Sequence, residues 1–295
     1  MTVLEELSSA AAGVVAQVGP AVVRIGRGGG RGCGVVLSKG IVATNAHNLR
    51  GEEALVTFGD GRQAVGTVAA TDVDGDLAVL RVDTGEAPGI TWSDNGPGVG
   101  QVVFAVTRSG AGGERVSFGM VSGTERAFRG PRGRRIKGSL EHTAPLPRGS
   151  SGSPVVTADG AVVGINTNRL GDGFYLALPA DSELQARLAS LSAGESRIRP
   201  RLGVGLAPAH VAKALRRSVG LDERDGLLVR VVEDASPAES AGIREGDLIV
   251  AVNGAAVTNA DDLFDSMENE AGELHVKIVR GTEEIDITIR LESTG

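Results

Sequence analysis

Short apolar runs, broken by Gly, Asp, Asn and Pro, dominate the chain as far as Pro179. They predict strands near 21–25, 33–37, 40–44, 54–58, 62–70 and 77–82. A Pro- and Gly-rich bridge from Glu86 to Gly100 interrupts the series. A second set follows near 101–107, 114–122, 139–143, 154–157, 161–166 and 174–179. Two groups of six closely spaced strands predict two antiparallel barrels. Ahead of them, Leu4, Leu7, Ala11, Val14, Val15 and Val18 recur at helical spacing, predicting a short surface helix that ends near Pro20.

After the strands the period changes. Leu184, Leu188 and Leu191 fall on one face of a predicted helix over 181–191, and Ser192 to Pro200 reads as a polar linker. Beyond Pro200, strands near 203–206, 226–232, 247–252, 273–280 and 284–291 mix with helical patches near 208–217 and 259–268. The fold class is therefore mainly β, divided into 1–191, a linker 192–200, and a small α+β domain 201–293.

Composition sharpens this picture only in places. Hydrophobic residues at 41% and charged residues at 23% fit a folded globular chain, and 44 Gly with 3% aromatics fits strands and turns. The net charge of −7 offers no general attraction to nucleic acid or anionic lipid. Cys33 is the single cysteine, so no intrachain disulfide can form, and it is expected to be inert. No apolar run approaches the roughly 20 residues of a membrane span. Residues 1–20 hold Glu5 and Glu6 but no Lys or Arg, so a basic leader is missing. The expected location is cytoplasmic as written, or extracytoplasmic if the true N-terminus is longer. No phosphate-cradling loop or His/Cys ligand cluster stands out, so no metal and no cofactor is expected. His142, His210 and His275 are expected at the surface or in packing.

Three segments carry the candidate chemistry: Val42-Ala-Thr-Asn-Ala-His47, Asp72-Val-Asp-Gly-Asp76-Leu-Ala-Val-Leu80, and Arg148-Gly-Ser-Ser151-Gly-Ser-Pro154. Peptide-bond hydrolysis needs a nucleophile, a base to take its proton, a group that fixes the base's tautomer, and donors for the oxyanion. Ser151, His47 and Asp76 supply those residue types in the chain order His, Asp, Ser. A strand, not a helix, is predicted after Ser151, which excludes the elbow of an α/β-hydrolase.

Thr44-Asn-Ala-His47, Asp76-Leu-Ala-Val-Leu80 and Gly149-Ser-Ser-Gly-Ser-Pro154 resemble the trypsin-like serine proteases, specifically the HtrA (Deg) branch with its C-terminal PDZ module. The resemblance runs from about Val14 to Leu291. It implies a chymotrypsin-like double β-barrel over 1–191 and a PDZ domain over 201–293. It also implies an ATP-independent serine endoprotease acting on unfolded or damaged protein, with Ser151 as nucleophile, His47 as base and Asp76 as its orienter. The Gly149 and Ser151 N–H groups would form the oxyanion hole. Ala144, Pro145 and Leu146, with Asn166, are the expected substrate pocket, apolar and suited to small aliphatic residues. The family's Gly is replaced by Ser153, which is expected to strain the turn that sets Gly149. The family's N-terminal aromatic packing of a homotrimer has no counterpart before Phe58.

Ser236-Pro-Ala-Glu-Ser-Ala-Gly-Ile243-Arg-Glu-Gly-Asp247-Leu-Ile-Val-Ala-Val-Asn253-Gly254 resembles the PDZ signature. By that resemblance Leu202, Gly203 and Val204 would hold a peptide's terminal carboxylate, and Leu263 and Met267 would wall the groove. The expected partners are protein or peptide substrates and C-terminal tails, not nucleic acid. A basic stretch with Arg126, Arg129, Arg132, Arg134, Arg135 and Lys137 reads as a solvated loop or an anion sensor. The altered turn Arg148 to Ser153 leaves one alternative, a catalytically weak scaffold that binds C-terminal tails.

Overall fold

The computed structural model describes residues 2–27, 31–108, 113–129, 135–196, 201–268 and 272–291. The chain divides into two compact units, Met1–Arg197 and Ile198–Gly295. No helix among the described residues is long and apolar enough to cross a membrane.

The N-terminal unit opens with α1 (Val3–Val18), capped by Thr2, whose hydroxyl accepts from the Glu5 N–H while the Glu5 carboxylate accepts from the Thr2 N–H. Only part of its apolar stripe is seated. Val14 and Val18 pack with Val22, Phe104, Val156 and Val162, whereas Leu4 is 74% exposed.

The first barrel comprises β1 (Val22–Ile25), β2 (Gly32–Ser38), β3 (Ile41–Thr44), β4 (Glu53–Thr57), β5 (Gln63–Asp72) and β6 (Leu77–Arg81). It closes in the order β1-β2-β3-β6-β5-β4 around Val23, Ile25, Val36, Val42, Val56 and Leu80. The second comprises β7 (Val102–Arg108), β8 (Glu114–Arg129), β9 (Arg135–His142), β10 (Pro154–Val156), β11 (Val162–Gly171) and β12 (Phe174–Pro179). It closes as β10-β11-β12-β9-β8-β7. Between the barrels, Val35, Ala43, Leu77 and Val79 of the first meet Ile165, Leu176 and Leu178 of the second. Leu184, Leu188 and Leu191 of α2 (Ser182–Ala193) join the same cluster. Strands buried on both faces read as continuous apolar runs, which is why Leu77–Leu80 shows no alternation.

The hairpin β8–β9 is longer than its apolar pattern predicts. Both strands run past the barrel, so that Arg126 pairs with Ser139 and Phe128 with Ile136. Phe128 and Ile136 in this extension are buried in the cluster that holds Leu184, Leu188 and Leu191, and the exposed charges around them disguise the hairpin as a loop. Arg126, Arg129, Arg135 and Lys137 therefore stand on strands, and Arg126 lies 3.3 Å from the Glu141 carboxylate. Arg132 and Arg134 lie outside the described residues.

The C-terminal unit contains β13 (Val204–Ala207), α3 (Ala209–Ser218), β14 (Leu227–Val232), α4 (Pro237–Ser240), β15 (Leu248–Val252), β16 (Ala255–Ala256), α5 (Ala260–Glu268), β17 (Glu273–Arg280) and β18 (Glu283–Arg290). The sheet order is β13-β14-β15-β17-β18, with β16 paired to β15, so β13 is an edge strand. Ser236 caps α4 through the Glu239 N–H, and the buried Asp247 carboxylate accepts from Arg280 Nε and Nη2 at 2.7 and 2.8 Å. Asn253 and Gly254, with φ of +49° and +79°, close the turn after β15.

Candidate functional site

His47 lies in a single helical turn, Ala46–Asn48, at the end of β3. Asp76 precedes β6 at φ +54°, a left-handed conformation that Asp tolerates better than most residues. Local bonds hold it there. Asn45 Nδ2 donates to the Asp76 carbonyl at 2.9 Å, and the Asp72 carboxylate accepts from the Gly75 N–H at 2.8 Å. Arg187 of α2 reaches the same Asp72 carboxylate at 2.6 Å.

The Asp76 side chain is 1% exposed and fully engaged. Its oxygens accept from the His47 backbone N–H at 3.1 Å, from His47 Nδ1 at 2.8 and 2.9 Å, and from Thr167 Oγ1 at 2.7 Å. A buried carboxylate held this way accepts hydrogen bonds, so His47 Nδ1 is the donor. In the neutral ring, Nε2 then carries the free lone pair, on a side chain that is 33% exposed.

Ser151 sits on the turn that leads into β10. Its carbonyl accepts from the Cys33 N–H at 2.7 Å and from Asn48 Nδ2 at 3.0 Å. Its hydroxyl donates to the Thr167 carbonyl at 3.0 Å and not to His47 Nε2. Thr167 thus touches both ends of the site, with its hydroxyl on Asp76 and its carbonyl on Ser151. Gly149 and Gly152 have φ of +82° and +88°. The N–H groups of Gly149 and Ser151 meet no acceptor among the described residues.

Ser153 does not strain this turn. It has no positive φ, it is buried, and its hydroxyl accepts from Asn166 Nδ2 at 3.0 Å. Ser150 likewise braces the loop by donating to the Pro147 carbonyl at 2.7 Å. The glycine requirement falls instead on Gly152, where an added Cβ would lie 2.1 Å from the Cys33 carbonyl oxygen.

A cavity of about 260 Å³ opens beside Ser151. Leu146 to Ser151 form one wall, Asn166 to Arg169 the other, and Tyr175 also lines it. Of the residues expected there, Leu146 and Asn166 line it and Ala144 and Pro145 do not. Ala144 is fully buried against Ala105, Leu146 and Tyr175. Pro145 faces outward, its carbonyl accepting from Ser117 Oγ at 2.6 Å. The lining is not apolar either, because the second wall brings in Asn168 and Arg169 and the first contributes Arg148.

Beneath the cavity lies His142, which is fully buried rather than at the surface. It stacks on Tyr175 with centroids 5.7 Å apart, and its Nε2 meets Asn166 Oδ1 at 2.8 Å. Its Nδ1 is buried without a partner. Burial holds its pKa below the ordinary histidine value, partly offset by the Asn166 bond. Cys33 is also buried, and desolvation pushes its thiol up to about 11, as suits an inert residue. No group of three or more His, Cys, Asp or Glu among the described residues is placed to hold a metal.

In the C-terminal unit, Leu202 and Gly203 lead into β13, whose outer edge pairs with no strand among the described residues. Gly203 has φ +75°, and a Cβ there would lie 2.3 Å from the Ser236 side chain. Leu202, Leu263 and Met267 are buried in one core cluster, against which the half-buried Val204 and Leu206 pack. The structure thus brings the β13 edge and α5 to one cluster, with Leu263 and Met267 contributing to its core.

Residues 32–165 match the trypsin-like peptidase domain family, and residues 228–280 match the PDZ domain family. The putative serine protease HhoA of Synechocystis sp. is 32% identical over 279 residues, covering 88% of this chain and 70% of that protein. The probable periplasmic serine endoprotease DegP-like of Halomonas elongata is 30% identical over 268 residues, covering 88% of this chain and 55% of its own. A solved serine endoprotease from Yersinia pestis superimposes with TM-score 0.71 at 27% identity, over 95% of this chain and 96% of that one. An HtrA-type protease, AlgW with a decapeptide, shares the fold with TM-score 0.73 at 23% identity, over 96% and 99% of the two chains. With two closed barrels, a following PDZ unit and relatives of this kind over most of its length, the chain belongs to the HtrA-type serine proteases, trypsin-like endopeptidases that carry a PDZ domain.

Proposed function

We propose that Ser151, His47 and Asp76 cleave peptide bonds in unfolded or damaged protein, and that the C-terminal unit holds extended segments or C-terminal tails of the substrate. The observation that carries this reading is the Asp76 carboxylate, buried and bonded to His47 Nδ1 while Thr167 links it to Ser151. Fixing Nδ1 as donor leaves Nε2 to take the Ser151 proton as the hydroxyl attacks the scissile carbonyl. Asp76 then stabilises the imidazolium, which returns the proton to the leaving amine. A second cycle with water releases the acyl group. Gly149 and Ser151 keep two N–H groups uncommitted beside the nucleophile, where the oxyanion would develop.

For the C-terminal unit, the open edge of β13 supports addition of a peptide as a further strand. The tight turn at Gly203 supports a carboxylate held by the Leu202, Gly203 and Val204 amides. The altered turn at Arg148 to Ser153 loses its force as a sign of a mere scaffold, because Ser150 and Ser153 brace it.

Degradation of unfolded casein by the purified chain, beside Ser151→Ala, tests the first part. Cleavage lost on the order of a millionfold in the variant is the expected result. Folded protein that never cuts, yet binds tail peptides, would return the scaffold reading. Fluorescence anisotropy with one peptide as free acid and as amide tests the second part, with the free acid expected to bind more tightly.

A further inference from the structure

We propose that Arg169 determines specificity in the cavity beside Ser151, selecting a carboxylate side chain, Asp or Glu, on the residue whose carbonyl is attacked. This rests on the cleavage reading above and names the substrate class for that same site.

The lining of the cavity is unbalanced in charge. Two guanidinium-bearing residues, Arg148 and Arg169, stand on opposite walls, and no Asp or Glu lines it. The remaining polar lining is neutral, from Asn166, Thr167, Asn168 and the serines. Asp76, the carboxylate of the neighbouring site, is already saturated by His47 and Thr167. Neither Arg148 nor Arg169 forms an ion pair among the described residues.

Arg169 is also held in place. Its Nη2 donates to the Leu146 carbonyl on the facing wall, and its guanidinium lies 5.3 Å from the Tyr175 ring centroid. A guanidinium fixed by a carbonyl and an aromatic ring loses little freedom when it binds an anion. Its remaining N–H groups can meet a carboxylate by charge-assisted bonds, which are roughly twice as strong as neutral ones. A small aliphatic side chain in the same place would strip water from that charge and return no hydrogen bond. The same chemistry accounts for the mismatch with the apolar pocket expected from Ala144 to Leu146, since the walls that form come from Arg148 and Arg169.

Two measurements test this on the full chain. In the first, peptides that differ only in Glu or Val at the cleaved residue are compared by kcat/KM. The expected ratio is at least about tenfold in favour of Glu, falling toward one in Arg169→Gln and kept only in part in Arg169→Lys, which retains the charge but not the planar fork. It should also shrink as salt rises. In the second, the same peptides, amidated so that their termini do not engage the PDZ unit, are titrated into Ser151→Ala. The Glu peptide is expected to bind more tightly, and the difference to vanish when Arg169→Gln is added. Equal binding of the two peptides overturns the proposal whether or not the wild type cleaves. Equal loss of the ratio in Arg169→Lys and Arg169→Gln also overturns it, because Arg169 would then only brace the Leu146 wall. A binding preference that persists in a protein cleaving nothing sinks the endoprotease reading while sustaining this one.

Discussion

The half of the site carried by the first barrel is finished, with Thr167 of the second barrel among its donors, whereas the half carried by the second barrel is open. Around Asp76, three donors converge on the carboxylate, and Asn45 and the Asp72–Arg187 pair hold the backbone that presents it. Around Ser151, the carbonyl is tied down twice, but the hydroxyl rests on Thr167 and two flanking N–H groups are uncommitted. A buried carboxylate is costly unless paired, so folding itself must complete the His47–Asp76 half. A serine hydroxyl near solvent carries no such penalty. Ser151 has to leave the Thr167 carbonyl before His47 can take its proton, which leaves the final alignment to the arriving substrate.

The contact between the halves is where this comparison breaks most easily. Gly152 packs directly on the Cys33 carbonyl, and Cys33 in turn donates its N–H to Ser151. In Gly152→Ala the new methyl would stand 2.1 Å from that backbone oxygen at a φ of +88°. The strand or the turn has to move, so cleavage should fall by several powers of ten. Thermal denaturation should show a loss of a few kcal/mol, about what overpacking costs. Near-normal activity in this variant would show that the Ser151 turn is not positioned through Cys33.

A smaller effect is expected from Thr167→Val, which removes one donor from Asp76 while keeping the carbonyl that receives Ser151. The valine is close in volume, so the fold should persist with a cost of about 1–3 kcal/mol for the buried oxygen left short of a donor. Turnover should drop by roughly 10–100-fold with KM little changed, because the hydroxyl acts on the base and not on the substrate. A change confined to KM would move Thr167 from bracing Asp76 to binding peptide.

The uneven finish of the two halves also explains what could be read from the chain alone. His47, Asp76 and Ser151 are visible because each lies in a local motif, a strand end or a glycine turn, and the three occur in a telling order. Thr167 is invisible by the same logic. A threonine between two asparagines in a strand carries no local signal, and its role arises only when β11 crosses beneath Asp76. The pocket lining is hidden from the sequence for a related reason. Its two walls lie on separate segments, Leu146 to Ser151 and Asn166 to Arg169, and only the register of β11 against β12 and the loop before β10 decides which side chains face each other. The same holds at β8–β9, where exposed arginines around the buried Phe128 and Ile136 look like a loop.

The smallest expected effect concerns His142, which lies under the second barrel's half and makes its stability sensitive to acid. Its environment offers nothing to a second proton. Nε2 donates to Asn166 Oδ1, Nδ1 has no acceptor, and the Tyr175 ring it stacks on also lies beneath the Arg169 guanidinium. Burial therefore lowers its folded pKa below the ordinary 6.5. In that window the unfolded chain binds a proton that the folded chain refuses, so acid favours unfolding. The contribution of neutral His142 is fully present above pH 6.5 and shrinks as the pH falls below that value. At its steepest the slope is about 1.4 kcal/mol per pH unit. Phe in place of His142 keeps the stack on Tyr175 and removes the titrating group. Urea unfolding of the wild type and His142→Phe between about pH 8 and pH 5 should therefore converge, the wild type losing its margin as acid rises. Parallel curves would mean that His142 titrates normally in the folded chain, and that the second barrel opens enough to hydrate it.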